Sequence, residues 1–437
     1  MAIIKDLRGR EILDSRGNPT VACEVILDDG TYAVGYSPSG VTVGAGEALE
    51  LRDKDPLRYE GMGVLKAVGN INSTIRTALL GMDIGDLARI DQKMIFIDAT
   101  PNKARLGANA TLAVSLACAK AGAKTKRIPL YKYLSEIMGK NADTLTMPIP
   151  FMNILNGGKH AVGSTDFQEF MIVPVNFQNV REALRAGSEI FHALGKILKE
   201  RNYQPLVGDE GGFAPSLFSN EQALELLMMA ISEADYEAGK DVFIALDPAA
   251  SRFYSEEGFY ELYRENKTLT NTQLVDYYLM ICEKYPIISI EDPLAHNDWH
   301  GWRDLTQKLG DKIEIIGDDI YSTNFELLKK GIAEKSSTGI LIKPNQIGTL
   351  TETFNTIKTA EAAGFKVMIS HRSGETEDSF IADLAIACGC GCIKAGAPCR
   401  SERTAKYNRL LEIEDKNLNH STFAKWDTAN NGGVTQL

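Results

Sequence analysis

Six apolar runs in the C-terminal half of this 437-residue chain each end in a polar or charged residue. Val242 to Leu246 runs into Asp247, Ile287 to Ile290 into Glu291, and Ile315 to Gly317 into Asp318. Ile340 to Ile342 runs into Lys343, Val367 to Ser370 into His371, and Cys392-Ile393 into Lys394. After a first gap of 44, these ends lie 27, 25, 28 and 23 residues apart. A strand, a helix and two short loops need roughly 20–30 residues, so the cadence predicts a (β/α) barrel. Strand ends of such a barrel converge on one mouth, where the chemistry of the fold sits. Three carboxylates, two lysines and a histidine are therefore expected to meet there.

A chain of this length exceeds what one hydrophobic core supports, so two domains are expected. Residues 1–140 fall outside the cadence. Val21 to Ile26 and Tyr32 to Gly35 flank Asp28-Asp29-Gly30 as a hairpin, and Leu106 to Ala121 and Tyr131 to Met138 read as helices. The fold class is α/β, a (β/α)8-type barrel over residues 141–437 with a smaller N-terminal α+β capping domain over 1–140. The linker is assigned to residues 139–144. Beyond it, Pro148 to Leu155 and Phe170 to Val175 are expected to start the βα rhythm. Ser219 and Gln222 form a capping box for a helix that Gly239 closes.

A net charge of −11 argues against nucleic acid or an anionic membrane as partner. No apolar run reaches the ~18 residues of a membrane span, and the polar start is no secretory signal. A cytoplasmic location is expected. Seven cysteines carry no disulfide framework. Cys388, Cys390 and Cys392 read as small residues of a barrel layer, since zinc pairs usually leave two to four residues between ligands.

Asp247, Glu291 and Asp318 offer oxygen ligands only, which suits a hard cation such as Mg2+. Singly, each could cap a helix or pair with an arginine. Packed in one mouth, they repel unless a cation compensates them. Lys343 and Lys394 end two further strands. A second ammonium and a nearby divalent ion would lower a lysine's pKa and make it a base for a carbon-bound proton. His371-Arg372-Ser373-Gly374 combines a guanidinium fork, a hydroxyl and glycine N–H groups, a set suited to a phosphate dianion. Gly208 to Gly212, around Glu210, and Asp166 to Glu169 add acids in or near loops, and Gly157 to Ala161 adds His160 in a flexible segment.

These motifs resemble the enolase family. The likeness runs from Glu11 to about Glu412 in the family's order. It is carried by Glu11 to Val21, Leu106 to Ala110, Gly208 to Pro215, Lys343 to Thr349, Ser370 to Asp378 and Ala397 to Arg403. The resemblance implies a phosphopyruvate hydratase that reversibly dehydrates 2-phospho-D-glycerate, a small phosphorylated three-carbon acid, in glycolysis. It implies two Mg2+ ions per site, the first on Asp247, Glu291 and Asp318. Ser39, in a loop of the small domain, would bring a ligand to the second. Lys343 would remove the C2 proton and Lys394 would stabilise the intermediate. Glu210 would protonate the departing hydroxyl with help from Glu169. His371, His160 and Gln168 would line the site, and Arg372 and Ser373 would hold phosphate. A homodimer or higher homo-oligomer is also implied.

The chain departs from the family at several points. Pro38 to Gly44 carries Val41, Thr42 and Val43 where the family has Ala, Ser and Thr, and Ala45-Gly46 adds flexibility. Lys159 stands where the family often has Ser or Glu, Pro248 where it often has Cys, and Ala395 where it has Thr. The stretch after Asp415 matches poorly. These changes spare the proton-transfer and first-metal positions but alter the lid and rim. An alternative is therefore a paralogue from a specialised pathway that dehydrates a related compound, such as a phosphonate analogue of 2-phosphoglycerate.

Overall fold

The computed structural model describes residues 2–40, 46–141 and 143–426. The divergent positions 41–45 and the tail beyond 426 lie outside the described residues. Strands β1 (Ile4–Leu13), β2 (Pro19–Leu27) and β3 (Tyr32–Tyr36) form an antiparallel sheet in that order. Gly30, at φ 84°, turns the expected hairpin. The helix Ala108–Lys126 lies on this sheet, and fifteen of its residues are buried. It sits so close to β3 that a Cβ at Gly35 would stand 2.3 Å from the Ala113 carbonyl oxygen.

The second domain opens with β4 (Leu145–Met147), β5 (Ile149–Asn156), β6 (Glu169–Pro174) and β7 (Val242–Asp247). A small hairpin follows, β8 (Tyr260–Leu262) with β9 (Lys267–Leu269). Then come β10 (Ile287–Glu291), β11 (Glu314–Gly317), β12 (Gly339–Ile342), β13 (Lys366–Ser370) and β14 (Cys392–Lys394). Last is β15 (Ser421–Phe423), which pairs with β4. Eight of these close a barrel in the order β5-β6-β7-β10-β11-β12-β13-β14. Strands buried on both faces read as continuous apolar runs, which is why the cadence was visible. Phe151, Met171, Phe243, Ile288, Ile316 and Leu341 fill the interior, and Trp426 packs on Phe151 at 5.7 Å between ring centroids.

The rhythm does not begin where the spacing placed it. β6 runs antiparallel to both β5 and β7. A parallel crossover needs a dozen or more residues, usually with a helix, and residues 157–168 hold only one short 3-10 turn. The chain therefore doubles straight back. The helices Val180–Glu200 and Asn220–Glu233 both come after β6. This reversal brings the start of β6, rather than its end, to the mouth, with Glu169 in register with Asn156 and Asp247. The long first gap holds the β8–β9 hairpin and the helix Asn271–Lys284.

Three local readings also change. Ser219 caps its helix by accepting from the Gln222 N–H, but the Gln222 side chain accepts from Phe218 N–H, so the reciprocal half of the box shifts one residue. That helix ends at Glu233 with Asp235 left-handed, while Gly239 turns the chain into β7. Of the three clustered cysteines, only Cys392 faces the barrel interior. Cys388 ends the helix Phe380–Cys388, and Cys390 donates to the Cys392 carbonyl, so the run spans a helix end, a loop and a strand.

The domains are joined at the start of the barrel helix Leu350–Ala362. Asp91, fully buried on the helix Leu87–Asp98, accepts from Thr351 N (2.9 Å) and Thr351 Oγ1 (2.7 Å). Lys103 pairs with Glu352 at 2.9 Å beside it. Burial pushes the Asp91 carboxyl up to about 6. Between its ordinary value of 3.8 and about 6, the folded chain holds a proton that the unfolded chain has released. This contribution to stability is therefore present at low pH and is lost as pH rises through that window. Relative to Asp91→Asn, the wild type should lose up to about 3 kcal/mol between pH 4 and pH 7 in urea unfolding. Parallel stability–pH curves for the two proteins would contradict the assignment.

Candidate active site

Asp247, Glu291 and Lys394 end β7, β10 and β14, and Glu169 opens the reversed β6, so these four charges meet at one end of the barrel. Lys394, at the end of β14 and 2% exposed, sits at the centre. Its Nζ lies 2.7 Å from Glu291, 3.1 Å from Glu169 and 3.2 Å from Asp247. Lys343, just past β12, pairs with Asp318 Oδ2. Gln346 Nε2 donates to the other Asp318 oxygen at 3.0 Å, and Asp292 accepts from the Asp318 and Asp319 N–H groups, fixing that loop.

His160 Nδ1 stands 3.8 Å from Glu169 and 3.7 Å from Glu210. Ligand atoms of these three residues all lie within 4.8 Å of one another. Asn153 Nδ2 donates to Glu210 at 3.1 Å. Burial and the neighbouring Glu210 push the Glu169 carboxyl well above the ordinary range. Glu210 goes the other way. Burial opposes its charge, but His160, His371 and Lys394 outweigh burial and hold it low. Of two acids sharing one pocket, Glu169 keeps the proton.

The sequence-based reading missed the role of Arg403. It is fully buried and donates to His371 Nδ1 and the Arg372 carbonyl at 2.6 Å, to the Ser373 carbonyl at 2.7 Å, and to the Asp209 carbonyl at 3.1 Å. A guanidinium only donates, so Nδ1 of His371 must accept and its proton sits on Nε2. That nitrogen faces Glu210 at 3.5 Å. Burial lowers the His371 pKa to about 4, so the ring is a neutral donor at pH 7. The only signal in the sequence was position, since Arg403 closes the 397–403 motif.

Around the rim, Arg372 meets Glu47 at 3.3 Å and Asn345 at 3.1 Å, and the buried Ser373 lines the same cavity as Gln168. Ser39 stands apart from that cavity's lining. Its hydroxyl donates to Glu50 (2.8 Å) and accepts from Arg52 (2.7 Å), while its backbone bridges to Gly374.

One electrostatic expectation changes. Burial, Arg372 and Lys394 depress Lys343, as anticipated for a second ammonium nearby. Asp318, in direct contact, and Glu291 outweigh them and hold the amine above the ordinary lysine value. Its availability as a base thus depends on what else Asp318 binds.

The residues fit a hard divalent cation. Asp247, Glu291 and Asp318 present oxygens alone, and Glu291 Oε1 is buried with no hydrogen-bond partner, but the acid-only set whose ligand oxygens lie within 4.8 Å of one another among the described residues is Asp292, Asp318 and Asp319. Burial and the adjacent Asp247 push Glu291 well up, against the opposing pull of Lys394 at 2.7 Å.

Lys343 past β12, the Glu169–Glu210 acid pair at the start of β6 and the carboxylates around Lys394 thus share one mouth, and the family matched below makes the chain a lyase-type enzyme. Residues 4–134 match the family model described as Enolase, N-terminal domain. Residues 144–431 match Enolase, C-terminal TIM barrel domain. The chain belongs to the enolase family.

Proposed function

We propose that this chain catalyses the reversible, Mg2+-dependent dehydration of 2-phospho-D-glycerate to phosphoenolpyruvate in glycolysis and gluconeogenesis. The observation that carries this reading is the placement of base and acid. Lys343 follows β12 and Glu169 opens β6, and these strands are four steps apart either way around an eight-stranded barrel. The base and the acid pair thus face each other across the mouth, the arrangement an elimination needs to take a proton from one side and release hydroxide on the other.

Asp247, Glu291 and Asp318 would hold the first Mg2+, and Ser39 would reach a second. Bound there, magnesium supplies Lewis-acid stabilisation of the charge that builds on the substrate carboxylate. Enzymes of this superfamily commonly set a lysine base beside magnesium, so that pairing follows from family membership rather than from the geometry. Arg372 and Ser373 hold the phosphate. Lys343, once Asp318 is engaged elsewhere, takes the C2 proton. Lys394 stabilises the developing carboxylate charge. Glu169 carries the proton that Glu210 delivers to the departing C3 hydroxyl, with the His371 Nε2–H orienting Glu210 and with His160 and Gln168 closing the wall. The domain boundary falls between residues 140 and 141, and the protein works in the cytoplasm as a homodimer or higher homo-oligomer.

A steady-state assay tests the reading. Purified protein with Mg2+ and 2-phosphoglycerate should develop phosphoenolpyruvate absorbance, and chelator should abolish it. Turnover several orders of magnitude below the usual ~10 per second would point instead to the specialised paralogue acting on a related compound such as a phosphonate analogue. One residue speaks for that alternative: Lys159 lines the cavity, a position where the family often has Ser or Glu.

A further inference from the structure

Five cations line the cavity: Lys159, Arg252, Lys343, Arg372 and Lys394. Lys394 is shared among three carboxylates, Lys343 is held by Asp318, and Arg372 faces Glu47. The remaining two differ. Arg252 reaches only Asp319, at a distant 3.8 Å, and Lys159 has no carboxylate or hydrogen-bond partner among the described residues. Asp319 thus compensates Arg252 only in part, and Lys159 is exposed, so an anion entering the cavity would meet two cations there. The two line the same cavity, and Arg252, after burial, depresses the Lys159 amine.

Topology places this pair. Arg252 belongs to the turn after β7, and Arg372 follows β13, four strands away in either direction around the closed barrel. The two guanidinium groups therefore stand on opposite sides of the mouth. Lys159 lies in the 3-10 turn after β5, next to His160, which faces the Glu169–Glu210 acid pair. A phosphorylated three-carbon acid needs one anion site for phosphate and one for carboxylate. On the reading above, Arg372 and Ser373 take the phosphate, and Lys394 together with the Mg2+ that its carboxylate neighbours would hold takes the carboxylate. Lys159 and Arg252 are left over: the turns that carry them follow β5 and β7 and so flank β6, which Glu169 opens, while the Arg252 guanidinium reaches toward Asp319.

We propose that Lys159 and Arg252 form a third anion subsite, and that the preferred substrate is a 2-phospho acid bearing a further anionic group at its C3 end. The inference rests on the dehydration chemistry and residue roles proposed above, but moves the preferred substrate from 2-phosphoglycerate to this wider class, in line with the alternative reading of a paralogue acting on a related compound. The chemistry balances without any co-reactant. The C2–H proton passes to Lys343, the C3–O bond breaks, its hydroxide leaves as water with the proton from Glu210, and the C2–C3 double bond forms. The added anion stays bound at C3 throughout.

The test compares 2-phosphoglycerate with 2-O-phosphotartrate, which carries a carboxylate at C3, and with the corresponding C3-phosphonate. Binding is followed by calorimetry with Mg2+, and turnover by release of the enol phosphate. One charge-assisted contact in a half-exposed site is worth on the order of tenfold, so the wild type should bind a three-anion acid ten- to a hundredfold more tightly than 2-phosphoglycerate. In Lys159→Ser and Arg252→Gln that preference should each fall by about tenfold, and the double variant should lose it. Which added anion binds more tightly tells carboxylate from phosphonate. Equal affinity of the wild type for all three acids, or a preference unchanged in both variants, overturns the proposal. Failure of the dehydration reading looks different: the acids bind with the expected ranking and none is turned over.

Discussion

Lys343→Ala should lose exchange of the C2 proton of 2-phosphoglycerate with solvent, together with about 10^4-fold in turnover, the upper range for a general base. The amine at the end of β12 lies across the mouth from the acid pair, and on this reading no other lysine can reach C2 from that side. Glu210→Gln should behave differently. It removes the proton donor for the departing hydroxyl but leaves the amine in place, so dehydration slows by roughly 10^2–10^3 while exchange continues. Loss of the C2–H signal in heavy water, followed by proton NMR, separates the two. Equal loss of exchange in both variants would contradict the division of labour. Glu169→Gln should resemble Glu210→Gln, because burial and the neighbouring Glu210 keep Glu169 protonated and Glu210 would draw its proton from there.

Arg403→Met should lower both stability and turnover, for two separable reasons. The guanidinium is fully buried and bonds to three backbone carbonyls and one imidazole. A buried acceptor left unpaired costs about 1–3 kcal/mol, and relaxation recovers part of that, so a net loss of roughly 3–5 kcal/mol is expected in urea unfolding. The functional effect acts through His371. Without a donor on Nδ1, the neutral ring is free to place its proton there, and Glu210 then loses the N–H that favours its charged form. Turnover should drop by about a hundredfold, and nitrogen NMR should show the His371 ring leaving a pure Nε2–H tautomer. Arg403→Lys keeps one donor and should hold the tautomer while losing stability. A His371 spectrum unchanged in Arg403→Met would reduce Arg403 to a structural part.

The barrel was legible because its evidence is local. Strands covered on both faces are apolar throughout, their tips are polar, and the spacing between tips is set by helix and loop length. Those features sit within a few dozen residues of one another, so Asp247, Glu291, Asp318, Lys343, His371 and Lys394 could be named from the chain alone, and the structure brings all six to one end. The motif order carried the family in the same way. The reversal of β6 was harder to see. Its strand looks like any other apolar run, and the clue lay in residues 157–168, which hold a short 3-10 turn where a parallel crossover usually places a helix.

By itself, then, the amino-acid order determined the class of fold, the family and the cast of charged residues at the mouth. Tertiary structure decided how those residues are charged and whom they face. Lys394 and Asp247 are 147 positions apart yet 3.2 Å from one another. Arg403 reaches back 194 positions to the Asp209 carbonyl. A side chain's protonation depends on burial and on charges a few ångströms away, and closing the barrel is what sets those distances. For that reason the lysine anticipated as depressed is held up by Asp318, the proton of the acid pair rests on Glu169, and Lys159, one more basic residue in the chain, emerges as a wall cation without a partner among the described residues.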